Sequence, residues 1–568
     1  MQTFKHTSSM NTKYIKIKKS YILITLLSLV LFSCDLLDEH PISELSTINF
    51  YKTEDDAIMA VNACYQVLPI DRDFHIIVEC ATDNLLIKNP DSENFQKATY
   101  DSQSAIIENS WNTHYKMIYR CNTVLERVPQ MSIKTEIKNQ VLGEAHFLRA
   151  LGFFNLVRMW GDVPMPIQSV KDVNDFSIEK TSKETVYDEV IIPDLTFAIN
   201  NLPNNLSGSS RASKDAARSL LALVYLTRAG NDNSKTNYWE AARDTALAVI
   251  NNRGGLTFPA IKEQLCGVYG DLFKKENKQH KEHIFSVQNV SMPDMGTELT
   301  TFYAASTDYS GADWIGTRWL HPTFFNSFEV VLNSNGKVLR RDDRLATGVH
   351  RLMTVTEKGV KYKMFWPVDV NPDKILDAST QSVIDKNIVG ARNYYKAFWG
   401  ELPPDDYVYA GKVPTLSGGT RNFNRCAVLK YDDPDATLKA DGGANIPVIR
   451  YAEVLLIYAE AENELNPLSL NALIALNAIR DRAKLPPFLP ITQQDFREQV
   501  MKERNSEFFA EHKRYFDLIR RERYIEVMNN SFVGEIIHRT SQHLFLPIPF
   551  NEIQANEKLN LDSQNPGW

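Results

Sequence analysis

The chain is short of glycine, has few cysteines and carries no basic excess. Glycine supplies 24 of 568 residues, below an average near 7%, which favours helix over a many-turned β architecture. Its six cysteines form no Cys-x-x-Cys pair and no Cys/His cluster at metal spacing, so zinc and thioredoxin-like chemistry are unsupported. Lys and Arg total 63 against 70 Asp and Glu, a net charge of −7, whereas a nucleic-acid binder normally shows a basic excess. No GxSxG, HExxH, P-loop or Cys-His signature is present. What is present is ordinary globular composition. Hydrophobic residues make up 43% and charged residues 23%, which excludes a disordered, collagenous or polytopic membrane chain. The length implies one large composite domain or two to three smaller ones.

The N-terminus carries Lys13, Lys16, Lys18 and Lys19, then an uncharged run from Tyr21 to Phe32. The run is shorter than the roughly 20 residues a helix needs to cross a bilayer, and the pattern is that of a signal peptide over 1–33. Leu31-Phe32-Ser33-Cys34 resembles a lipobox, which makes Cys34 the expected lipidation site and gives a stable membrane anchor. Met10 is an equally good start. Removing 1–33 takes away Lys5 and the four lysines above with no acid, so the charge falls from −7 to −12. Cys64, Cys80, Cys121, Cys266 and Cys426 then remain, an odd number that leaves at least one unpaired. Most read as buried thiols.

A polar tether, 34–50, precedes a helix start with Thr53 as N-cap and acidic residues behind it. The region 51–255 is mainly helical, with helices expected over Trp111–Val128, Thr135–Trp160, Lys183–Leu202, Ser213–Ala229 and Tyr238–Asn251. In the second, Val141, Ala145, Leu148, Leu151 and Phe154 form a stripe that must pack on another helix. Ala216-Ala217 and Ala241-Ala242 supply small residues for helix crossings, as in tetratricopeptide hairpins. Between 256 and 444 the stripes fade, and only segments such as His283–Gln288 and Arg425–Tyr431 look like strands. Such a long loop-rich insertion is the place to look for function. Helical periodicity returns at Arg450 and continues to Met528, within a C-terminal region, 445–568, that ends in a docked tail. The expected fold is a single composite domain, mainly α, of tetratricopeptide-like stacked helical hairpins with that irregular insertion.

Several stretches carry a resemblance: GEAHFLRALGFFNLVRMWGDVPMP (143–166), RASKDAARSLLALVYLTRAG (211–230), IPVIRYAEVLLIYAEAENEL (446–465), ALNAIRDRAKLPP (475–487), ERNSEFFAEHKRYFDLIRRERY (503–524) and HLFLPIPFNEIQANEKLNLDSQNPGW (543–568), with Trp111, Tyr115, Arg120 and Asn122 upstream. The chain resembles the SusD/RagB-like outer-membrane nutrient-binding lipoproteins of Bacteroidetes, over nearly all of the mature chain and in the expected order. One departure is Glu511-His512-Lys513, where many relatives carry Glu-Gly-x. The motif residues themselves read as structural. Glu144 and Arg149 should pair with charges between helices, and Glu453, Glu460 and Glu462 should be ion-paired packing residues with Arg450, Arg480 and Arg482 as partners. Trp568 should dock in a groove.

The resemblance implies a lipid-anchored surface protein of the outer membrane that binds an oligosaccharide and delivers it to a SusC-like TonB-dependent transporter, without cofactor, metal or catalytic residues. A neutral glycan needs flat aromatic rings ringed by hydrogen-bonding side chains. The densest candidate is 301–319, with Tyr303, Tyr309, Trp314 and Trp319. A second, Asn84–Ser104, which lies near the ligand surface in relatives, offers Asn94, Gln96 and Tyr100. Arg318 could grip a carboxylate or make a structural ion pair. Two other readings stand beside this one: a RagB-like peptide binder, and a glycoside hydrolase using two carboxylates.

Overall fold

The computed structural model describes residues 50–568, apart from 69, 88, 170–176, 205–209, 293–294, 304–317, 350–351, 358–359, 366–395, 397–407, 410–426, 434–435, 437–441 and 535–536. Cys34, the signal peptide, Tyr309, Trp314 and Cys426 fall outside the described residues. Residues 53–568 form one compact unit.

Helix α1 (Glu54–Tyr65) starts at Thr53 as the sequence indicates. Thr53 Oγ1 accepts from the Asp56 N–H at 3.2 Å, and the Asp56 carboxylate accepts from the Thr53 N–H at 2.8 Å, so two otherwise orphaned donors are satisfied. Helix α2 (Arg72–Glu79) leads to strand β1 (Leu85–Ile87) and helix α3 (Pro90–Lys97). Helix α4 (Ala105–Arg127) begins ahead of the expected Trp111, because buried Ile107 extends its apolar stripe toward the N-terminus. Helix α5 (Thr135–Trp160) has the expected bounds, and all five residues of its stripe are buried. At Gly152 the α4–α5 crossing is so close that a Cβ would lie 2.9 Å from Met117 Cε.

After the short strands β2 (Val163–Pro164) and β3 (Lys180–Thr181), the helix expected over Lys183–Leu202 is interrupted by a π-turn at Tyr187–Ile191 before α6 (Ile192–Asn201). Pro193 at the head of α6 has no N–H for the preceding turn, which is where the ladder changes register. Helices α7 (Lys214–Ala229) and α8 (Thr236–Asn252) follow. In the C-terminal block come α9 (Tyr451–Leu465), α10 (Leu470–Arg482), α11 (Gln493–Glu507), α12 (Arg514–Arg520), α13 (Tyr524–Asn530) and α14 (Phe550–Ala555). Packing runs from α4 to α5, α6, α7 and α8 in turn, and α8 then packs on α9, which contacts α10 and α11. The C-terminal helices therefore continue the stack that the N-terminal helices begin. The fold is mainly α, as the sequence indicates.

Within the insertion lie β4 (His283–Val287), β5 (Arg318–Leu320), β6 (Val330–Leu332), β7 (Val338–Arg341), β8 (Leu352–Glu357), β9 (Val360–Phe365) and β10 (Val408–Tyr409), and β11 (Ile446–Arg450) follows it. Among the described residues these strands form only two- and three-stranded sheets. Strand β4 pairs antiparallel with β11, Val287 opposite Ile446 and His283 opposite Arg450. The strand expected at Arg425–Tyr431 is not formed by its described residues: Val428 makes an isolated bridge to Val349, while Lys430 and Tyr431 turn inward to hydrogen-bond the 507–511 backbone.

Insertion and stack are joined by buried charge. Arg450 donates to Glu511 at 2.7 and 2.9 Å, to Glu507 at 2.9 Å and to Glu282 at 2.7 Å. Arg482 shares Glu282 and Glu507, and Arg344 joins Asp342 to Glu503. Buried ions persist only where paired and hydrogen-bonded in this way. Ion pairing of Glu453 and Glu460 holds, but with other partners: Glu453 meets Lys513 and Arg504, and Glu460 meets Arg520. Glu462 instead accepts from Ser469 and Asn466. Glu144 pairs with Arg211, and Arg149 with Asp194. Cys64, Cys80, Cys121 and Cys266 are buried free thiols.

Candidate functional site

The two candidate loops meet on one short sheet. Strand β1 pairs antiparallel with β5, placing Leu86 opposite Trp319 and Ile87 opposite Arg318, and the His321 N–H extends the ladder to the Asn84 carbonyl at 2.7 Å. Asp71 starts this region by capping α2, its Oδ1 accepting from the N–H groups of Asp73 and Phe74.

The pairing draws several expected ligand contacts inside. Trp319 is 3% exposed and Tyr303 only 1%, so neither ring presents a face to solvent, a correction to the open-loop reading of 301–319. Tyr303 lies 5.7 Å from Tyr431, near parallel to it, and its hydroxyl is 3.3 Å from His75 Nε2. Tyr100 is also buried, stacked on Phe95 at 4.8 Å and on Trp568 at 5.2 Å. The Trp568 indole N–H is held by the carbonyls of Gln542 and Phe545, so the docked C-terminus seals the ring. Burial pushes the Tyr303 hydroxyl well above its ordinary range. Gln96 is spent on the Leu85 carbonyl at 2.7 Å. Asn94 is exposed, its side-chain oxygen accepting from Thr99 Oγ1 at 3.0 Å.

Among the described residues Arg318 makes no ion pair. It is buried, its guanidinium 3.5 Å from the Phe302 ring, its Nε on Cys80 Sγ and its Nη2 on Ser92 Oγ.

Beside the β1–β5 pair lies a groove of about 290 Å³. Its walls include Asp83, which precedes β1; Thr323 and Ser327, which follow β5; Asn505 of α11, Arg514 of α12 and Phe532, just after α13. Phe532 is half-buried, with one face laid flat on His321 at 3.5 Å and an interplanar angle of 5°. Arg514 grips Asp83 through two bonds of 2.9 Å, a geometry that fixes both side chains. Asn84 donates to the Asn505 side chain at 2.8 Å. Glu498 at the rim is bound to Arg523. A braced aromatic face beside hydroxyls, an amide and a rigid ion pair can hold a ligand that combines a flat apolar side with a hydrogen-bonding edge. Sequence reasoning missed this set. The signal for Phe532 was an aromatic ring within the polar stretch Asn529-Asn530-Ser531-Phe532-Val533-Gly534.

Two family models match the chain. Residues 35–226 match the model described as "Starch-binding associating with outer membrane", and residues 396–568 match that of the SusD family. The SusD-like protein P25 of Formosa agariphila is 25% identical, over 94% of this chain and 97% of its own length. A SusD superfamily protein from Parabacteroides distasonis has the same fold, with a TM-score of 0.68, 24% identity and coverage of 91% of this chain and 99% of that one. A structure named as a laminarin-binding SusD-like protein aligns with a TM-score of 0.64 at 20% identity, covering 91% of this chain and 100% of that one. With residues 35–226 and 396–568 matched by such models and the SusD-like protein P25 aligned over 94% of this chain, the protein belongs to the SusD/RagB-like family.

Proposed function

We propose that this protein captures neutral oligosaccharide at the outer-membrane surface, without turning it over, and passes it to a SusC-like TonB-dependent transporter. The observation that carries the reading is the Phe532 ring, braced on His321 beside Asp83–Arg514, Asn505, Thr323 and Ser327 at the β1–β5 junction. A pyranose has an apolar C–H face for the ring and hydroxyls for the rim. Tyr309 and Trp314, between buried Tyr303 and Arg318 in the sequence, are kept as candidate ligand contacts, as is exposed Asn94. The carboxylates of Asp83 and Glu498 are each committed to an arginine, which supports binding without hydrolysis. The family description that mentions starch and the outer membrane, and the laminarin named for one structural neighbour, support the ligand class. Cys34 is the lipid anchor in this scheme.

Calorimetry with starch, laminarin and xyloglucan oligosaccharides tests the reading, with products analysed after long incubation. Micromolar-to-millimolar binding of one of them, weakened about tenfold or more by Phe532→Ala or Trp314→Ala and without cleavage, is the expected result. Unchanged affinity in both variants removes the site, and new reducing ends would make the protein a hydrolase. Loss of membrane association in Cys34→Ala checks the anchor, and co-purification of a β-barrel transporter with the lipidated protein checks the partner.

A further inference from the structure

A second concavity lies on the helical stack, sharing no lining residue with the Phe532 groove. It measures about 330 Å³, within the range of small-molecule sites. One face of α4 supplies Asn112, Tyr115, Lys116 and Tyr119 at the i, i+3, i+4, i+7 spacing of a single helical side. Buried Trp111 forms the floor, Pro164 and Pro166 the opposite wall, and Glu552 of α14 the far end.

The fixed and free groups differ in a telling way. Tyr115 is locked, its hydroxyl donating to the Pro164 carbonyl at 2.7 Å and its ring 4.9 Å from Trp111. Tyr119 is 48% exposed, a large ring left against water where a helix surface normally carries charge. The side-chain amides of exposed Asn112 and Gln168 make no hydrogen bond among the described residues. Lys116 and Glu552 give the lining one charge of each sign, which favours a neutral ligand. Burial raises the Glu552 carboxyl above its ordinary value, with Asn556 and Trp111 holding it back, and a partly desolvated carboxyl is a strong acceptor for a hydroxyl.

From this geometry we infer that the pocket is a second saccharide site, which seats one or two neutral pyranose units between Tyr119 and the proline wall while Asn112, Gln168 and Glu552 bind their hydroxyls. The inference rests on the glycan-capture reading above and adds to it a second point of attachment on the same polymer. Two weak sites on one rigid body raise the avidity for a long chain far more than for a short one.

The test is calorimetry and saturation-transfer NMR on the mature protein with maltohexaose, laminarihexaose and xyloglucan heptasaccharide, and with the parent polysaccharides. It uses Tyr119→Ala, Asn112→Ala, Phe532→Ala and the Tyr119/Phe532 and Asn112/Phe532 double variants, each checked for an unchanged melting temperature. Residual sugar binding in Phe532→Ala that falls about tenfold when Tyr119 or Asn112 is also removed is the expected result. A larger loss for polysaccharide than for hexasaccharide in Tyr119→Ala is expected as well. If the wild type binds a sugar and Tyr119→Ala and Asn112→Ala match their parents in both backgrounds, the second site is overturned while the first stands. Tyr119-dependent binding of a proline-rich decapeptide but of no sugar overturns it too. A wild type that binds none of the glycans overturns both readings.

Discussion

His512 Nε2 lies 2.8 Å from His75 Nδ1. The two imidazoles share one hydrogen bond inside the protein, with the Tyr303 hydroxyl on the far nitrogen of His75. His512 stands at φ +62°, left-handed backbone that a glycine adopts more readily than a residue with a Cβ. Its ring also meets Phe74 edge-on at 5.5 Å. Burial, then Lys513, pushes His512 down to about 3, and burial, then His512 and Arg318, pushes His75 well below its usual value.

Acid should therefore unfold the protein through this pair. The folded state keeps both rings neutral, whereas the unfolded chain takes up protons near pH 6.5, so stability declines as pH falls below 6.5 and continues to decline toward about 3. Glu79, raised to about 7 by burial although the N–H groups of Ala510 and His512 bind it, acts in the opposite sense. It binds its proton more tightly in the folded state, so its contribution declines as pH rises from 4.5 to 7. Two imidazoles against one carboxyl leave a net loss on acidification. Denaturant melts should show it, with a shallower slope between pH 6.5 and 4 in His512→Asn, since Asn tolerates the backbone and does not titrate. A slope equal to wild type would acquit the pair.

Arg450→Met should cost about 3 to 5 kcal/mol, because Glu282, Glu507 and Glu511 lose a shared buried cation. Arg450→Lys should recover little of it, since one ammonium cannot span the carboxylates that a guanidinium fork reaches. Urea unfolding measures both, and a loss under 1 kcal/mol for Met would show that the network is replaceable.

Trp319 and Phe532 should part company in paired assays. Trp319→Ala, in the interior, is expected to cost about 3 to 5 kcal/mol and to leave glycan affinity within threefold at a temperature where it remains folded. Phe532→Ala should do the reverse, with a melting temperature near wild type and weakened binding.

Trp568→Ala removes a ring stacked on Tyr100 and an N–H shared by two carbonyls. A loss of about 2 kcal/mol is expected, with faster amide exchange over 95–100 and 542–545. Exchange unchanged there would mean that the tail is ornamental to the fold.

Helix positions were legible where the determinant was local. The α5 stripe advances by steps of four and three residues, along one helix side, and every member is buried. Thr53 declared α1 for the same reason. Partners in the ionic core were not legible: Arg450 takes Glu282 from far upstream, and no pattern near Arg450 encodes that. Tyr303 and Trp319 read as loop aromatics because their local spacing keeps no period, whereas three residues of β5 acquire their partner in β1 only through the tertiary fold. Phe532 was invisible for a related reason, since its value comes from His321, brought beneath it from the insertion.

Strands β4 and β11 face each other at the neck of the insertion, so the chain departs at Val287 and re-enters at Ile446 directly opposite. A loop whose two feet stand side by side can lengthen or shrink in the stretches between its buried anchors, Trp319, Arg344, Lys430 and Tyr431, without prising apart the helices beneath it. Descendants of this architecture can thus vary what lies between those anchors while inheriting the scaffold intact.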